Sequence, residues 1–101
     1  MLNINVTENG TDVKIELEGK LDAVTSKDLH ARIAQLSDNV LHVEIDMENL
    51  AYISSAGLRV LLALHNSLKQ RGGSLKILNV SDPLMEVFED TGLATALIFV
   101  R

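Results

Sequence analysis

The chain has 101 residues, 47% apolar and 23% charged, which is the size and makeup of one folded domain spanning 1–101 with too little chain for a second core. Nine basic against 14 acidic side chains leave a net charge of −5, and the only aromatics are Tyr52, Phe88 and Phe99. That balance repels a phosphate backbone and offers no platform for stacked bases, so it argues against direct nucleic-acid binding.

At the N-terminus Leu2, Ile4 and Val6 alternate with Asn3, Asn5 and Thr7, the period-two pattern of a half-buried strand. Asn9-Gly10 marks a turn, after which Val13, Ile15 and Leu17 alternate with Lys14, Glu16 and Glu18. The two runs predict a hairpin whose second strand ends at Gly19. This opening lacks a basic start and a continuous apolar run, and no stretch approaches ~18 apolar residues. Neither a targeting segment nor membrane insertion is expected, and the absence of Cys fits a cytoplasmic location.

Thr25-Ser26-Lys27-Asp28 has the form of a capping box, with Thr25 capping a first helix that carries Leu29, Ile33 and Leu36. Leu41, Val43 and Ile45 then alternate with His42, Glu44 and Asp46 as a third strand. A second helix is predicted from about Ser55 to Arg71, stopped by Gly72-Gly73. Its Leu58, Val60, Leu61, Leu62, Ala63, Leu64 and Leu68 form a wide apolar surface suited to the centre of the helical layer. Leu75, Ile77 and Leu78 predict a fourth strand. Asp82 is placed as the cap of a third helix, with Pro83 in its first turn, Leu84, Val87 and Phe88 along it and Gly92 at its stop. Leu97 to Val100 close the chain as a last strand ending at Arg101. The order ββαβαβαβ predicts an α/β fold with a mixed sheet, and the clean alternation of its strands predicts helices packed on one face only.

Little in this chain carries chemistry. With no Cys there is no thiolate ligand or thiol nucleophile, and His30, His42 and His65 fall on three different elements without metal-motif spacing. No metal or cofactor is expected. Glu16, Glu18, Glu44 and Asp46 share the outward sheet face, where they read as solvated charges beside Lys14 rather than a paired-carboxylate site. The six glycines match neither a phosphate loop nor a dinucleotide fingerprint, so an enzyme is not expected.

One segment stands apart, running from Asp46 through Leu50-Ala51-Tyr52-Ile53-Ser54-Ser55-Ala56-Gly57-Leu58 into the second helix. Ser54 or Ser55 lies at that helix N-terminus, where N–H groups and the positive dipole end favour an oxygen acceptor or an anion, and plain N-capping is by itself a sufficient account of a serine there. The small residues around the doubled hydroxyl permit a partner to approach closely, and Gly57 in the first turn weakens the helix by about 1 kcal/mol, which calls for a reason.

The sequence resembles the STAS family, in particular its standalone bacterial anti-sigma factor antagonists. The matching residues are Leu17-Glu18-Gly19-Lys20-Leu21-Asp22, Leu50 to Leu58, Gly72-Gly73 and Thr91-Gly92-Leu93, in order over nearly the whole chain. The resemblance implies a STAS-like fold and a non-enzymatic switch. The unmodified chain would bind an anti-sigma factor with serine kinase activity, releasing a sigma factor for transcription. Phosphorylation of Ser55 would end that binding, and a serine phosphatase would restore it. By the same resemblance Asp22, Thr25, Ser54, Ser55, Gly57 and Leu58 form the partner-binding surface. Ser54 stands where the family motif often has Asp, which gives phosphate two neighbouring hydroxyls with Ser55 as first choice, and the C-terminal helix of many relatives has no counterpart before Arg101. An alternative within the same resemblance is a structural subunit of a membrane-associated transport or lipid-trafficking complex, docked through the same loop without phosphorylation.

Overall fold

The computed structural model describes residues 1–100; Arg101, the expected end of the last strand, lies outside them. The elements follow the predicted order: β1 (Leu2–Asn9), β2 (Asp12–Leu21), α1 (Thr25–Ala34), β3 (His42–Ile53), α2 (Ser55–Gln70), β4 (Ser74–Leu78), α3 (Asp82–Asp90) and β5 (Ile98–Val100). One five-stranded sheet runs β1-β2-β3-β4-β5, with β1 antiparallel to β2 and every other neighbouring pair parallel.

The alternation read from sequence sorts the two faces of this sheet. Val13, Ile15 and Leu17 of β2, Val43, Ile45 and Met47 of β3, and Leu75 and Ile77 of β4 are buried, while Lys14, Glu16, Glu18, His42, Glu44 and Lys76 between them are exposed. Helices thus cover one face, contributing Leu29 from α1, Leu84 and Phe88 from α3, and Leu58, Leu61, Leu64 and Leu68 from α2. On α2 the buried set is a stripe narrower than expected: Val60 and Leu62 are half-buried and Ala63 is exposed. Phe88 meets Phe99 of β5 edge to face at 5.0 Å, which ties α3 to the last strand.

The structure departs from the sequence reading where local signals misplace an end. Thr25 does not cap α1; it is the first helical residue, the N-cap position falls to Val24, and α1 ends at Ala34, short of Leu36. Asp82 does not cap α3 either, since the Ser81 hydroxyl oxygen accepts from Leu84 N and leaves Asp82 and Pro83 in the first turn. Arg71 is the C-cap of α2 rather than its last turn.

The largest departure concerns β3, which continues past Asp46 through the stretch read as a connection and reaches Ile53. Its register against β2 explains why. Glu16 pairs with Asp46 but Glu18 with Asn49, and Gly19 pairs with Leu50 but Lys20 with Tyr52. Each step inserts one extra residue into β3, so the buried positions run Met47, Leu50, Ile53 and the period of two disappears. Gly19 likewise does not end β2. It sits at φ +108 beside the second bulge, and the strand carries on to Leu21.

An added Cβ at Gly19 would strike the carbonyl oxygen of Met1, on top of the unfavourable φ. Gly19→Ala is expected to destabilise the protein by about 2–4 kcal/mol, read as a lower urea midpoint with an unchanged slope.

Candidate functional site

The bulged pairing delivers the ends of β2 and β3 side by side. Lys20 pairs with Tyr52 and Leu21 with Ile53, and one step further Ser54 N donates to Leu21 O at 2.8 Å. The chain leaving β2 at Asp22 therefore abuts the chain entering α2 at Ser54. Gly57 explains itself here, because the first turn of α2 rests directly on β2: a Cβ at this position would lie 2.7 Å from Leu21 Cγ and 2.9 Å from its Cδ2. The helix weakness noted in the sequence is the condition for that approach.

The two serines have different tasks. Ser54 is extended (φ −95, ψ 171) and its hydroxyl oxygen accepts from Gly57 N at 3.2 Å, so it is the N-cap, while its carbonyl accepts the first helical bond from Leu58 N at 3.0 Å. Ser55 is the first helical residue and exposed, and among the described residues its hydroxyl has no hydrogen-bond partner.

Asp22 anchors the neighbouring loop. Its Oδ1 accepts from Val24 N at 3.0 Å and from Thr25 N at 2.9 Å, taking up N–H groups at the start of α1 in place of the expected capping box. The Thr25 hydroxyl accepts from Asp22 N at 2.9 Å and shares its proton between Lys20 O (2.8 Å) and Asp22 Oδ1 (3.1 Å). These bonds, first of all that from the Thr25 N–H, hold the Asp22 carboxyl below the usual carboxylate range, against partial desolvation that acts the other way.

Of the six residues expected on the partner surface, the structure gathers all at this end of the sheet but exposes only Ser55. Asp22 and Ser54 are half-buried, and Thr25, Gly57 and Leu58 are buried. Thr25 is 8% exposed, so it fixes the loop from within rather than facing a partner. The exposed residues here that the sequence reading did not single out are Ala23 and Val24, with Val24 73% exposed at the tip of the pinned loop. Its signal was a β-branched residue in a loop, which is silent until the loop is seen to be rigid. The three histidines lie on α1, β3 and α2, and no group of His, Cys, Asp and Glu able to hold a metal occurs among the described residues. None of the described helices is long and apolar enough to cross a membrane.

A sheet of this order, helices on one face and a serine-rich turn feeding the central helix define a family. The chain belongs to the STAS domain family, whose sequence model matches residues 3–99. Its relatives include the anti-sigma-B factor antagonist of Bacillus subtilis, 29% identical over 92 residues, covering 91% of this chain and 84% of the relative. The anti-sigma-B factor antagonist of Listeria monocytogenes is 31% identical over 96 residues, covering 92% and 83%. The fold is that of the anti-sigma factor antagonist SpoIIAA, whose unphosphorylated form superposes with a TM-score of 0.79 at 20% identity, over 98% of this chain and 88% of that one. The phosphorylated form of SpoIIAA from Bacillus superposes at 0.77 and 22% identity, over 98% and 92%.

Two outcomes test this geometry. Gly57→Ala forces a methyl against fully buried Leu21 and is expected to destabilise the fold by about 1–3 kcal/mol in urea titrations. For Asp22 the sign follows from its lowered folded pKa: its anchoring is fully present above the ordinary carboxylate range and is lost as pH falls through the folded value. The amide shifts of Val24 and Thr25 should hold steady from neutral pH downward and titrate at a lower pH than an unperturbed aspartate would show.

Proposed function

We propose that this chain works as one STAS domain, 1–101, and as an anti-sigma factor antagonist. The unphosphorylated form binds an anti-sigma factor that is also a serine kinase, thereby freeing a sigma factor; phosphate on Ser55 ends the binding and a serine phosphatase restores it. The protein is a binding module and not an enzyme in this cycle. The observation that carries the reading is the division of labour at the start of α2. Ser54 spends its hydroxyl on the cap, and Ser55 presents a free one to solvent.

The electrostatics support a switch that spares the fold. A phosphate adds about −1.5 to −2 charge at neutral pH, and at the first turn of a helix the N–H groups and dipole tolerate it. Asp22, held ionised on the adjoining loop, adds like charge on the same surface. A partner docked over Ser55 thus meets both charges with water excluded, while the isolated domain meets them in water. The exposed Ala23-Val24 pair supplies the apolar part of the contact.

Incubation with the anti-sigma kinase and ATP, followed by peptide mass mapping, should find phosphate on Ser55, and Ser55→Ala should remain unmodified while still binding. Ser55→Asp should fold with an unchanged melting curve and bind about 30-fold to several thousandfold more weakly, equivalent to about 2–5 kcal/mol. Phosphate on Ser54, or full-strength binding by Ser55→Asp, overturns the proposal.

A further inference from the structure

We propose that the outer edge of β1 pairs, antiparallel about a two-fold axis, with β1 of a second copy of this chain. The sheet ends in β1 on one side and in the three-residue β5 on the other, so β1 is its long edge. Two hydrogen bonds fix which backbone groups of β1 point outward. Met1 O accepts from Lys20 N at 3.1 Å, which turns the odd-numbered residues toward β2. Ile4 O lies on the other side, where Arg32 Nη1 of α1 reaches it at 3.5 Å. Leu2, Ile4, Val6 and Glu8 therefore direct their N–H and C=O groups away from the sheet.

Edge strands are ordinarily blunted by charge, proline or bulges. This one is not. Its register with β2 is unbroken from Leu2 to Asn9, and Leu2 to Thr7 contains neither a charged residue nor a proline. Leu2, Ile4 and Val6 are only half-buried against the core, which leaves apolar area for a neighbouring strand to cover.

Charge selects the second copy as occupant and sets the register. Three pairings, centred on Ile4, Asn5 or Val6, use most of the strand while opposing outward groups and keeping each side chain on its own face, and of these the one centred on Val6 leaves Leu2 unpaired and the one centred on Ile4 leaves Glu8 unpaired. Pairing Ile4 with Ile4 of the second copy brings the two Arg32 side chains together. Centring the axis on Asn5 instead pairs Ile4 with Val6 of the second copy and Leu2 with Glu8 of the second copy. Glu8 points to the helical side, where its Oε1 accepts from Ser37 N at 3.3 Å. In this register the Glu8 of the second copy stands diagonal to Ile4, within reach of Arg32. Symmetry supplies that opposite-charge pair twice, and uncharged Asn5 faces itself on the open side. Ser55 opens α2 at the end of β3, with β2 between it and β1, so pairing along the outer edge of β1 leaves it free in both copies.

Sedimentation equilibrium of the full chain at ~150 mM salt, up to about 1 mM protein, should show a reversible dimer. Arg32→Glu should raise its Kd by about tenfold or more, and adding Glu8→Arg to that variant should return it to the starting value. Val6→Pro removes an outward N–H without touching the ladder to β2, and should give a folded monomer. A monomer at every concentration overturns the proposal, as does a dimer that none of these variants moves. A charge swap that fails to rescue assigns another register and also overturns it. Protection of the Leu2, Ile4 and Val6 amides from hydrogen exchange only after an anti-sigma factor is added would give the edge to a foreign strand instead.

Discussion

The hydrogen bond from Ser54 N to Leu21 O is the join on which the functional end of this protein depends. It fastens the last residue of β2 to the cap of α2, and the missing side chain of Gly57 lets the first turn of the helix lie directly on Leu21. Everything else at this end is placed by these two restraints. Asp22 follows Leu21 and pins the loop before α1; Ser55 follows Ser54 and opens the helix. A loop and a helix start from distant parts of the sequence thus become one rigid surface with little chain committed to it.

The alternating strands were legible because each has one wet face and one dry face, and residue type follows that difference directly. Val13, Ile15, Leu17, Val43 and Ile45 needed nothing else. The caps were less so. Thr25 and Asp82 are good capping residues, but in both cases a residue a step or more away takes the role, Asp22 reaching forward and Ser81 sitting one place earlier. Local preference states that a cap is near and tertiary contacts state which residue it is. The distal half of β3 was illegible in the sequence because its bulges break the very periodicity by which strands are recognised. At the candidate site, the doubled serine was visible but not the assignment between its members, which depends on the φ and ψ of Ser54.

The charges of the site are economical. A neutral hydroxyl serves as cap, so the start of α2 carries no built-in anion, and the one carboxylate nearby is kept ionised throughout the neutral range by its bonds to Thr25 and Val24. A modification that adds charge to Ser55 therefore changes this surface from one anion to several at once. It cannot be relieved by protonating Asp22, because the same hydrogen bonds that hold the loop hold the proton off.

The paired bulges of β3 carry a consequence for how such a chain can lengthen or shorten. Each extra residue is taken up at its own bulge, so the residues after it keep the faces of their β2 partners and Met47, Leu50 and Ile53 all point into the core. Removal of the extra residue near Glu48 or Ala51 would restore one-to-one pairing there and leave Ile53 opposite Leu21 and Ser54 bonded to it. The site is thus fixed by the pairing of Ile53 with Leu21 rather than by the number of residues in β3, and the two bulges are where that number can change without moving Ser54.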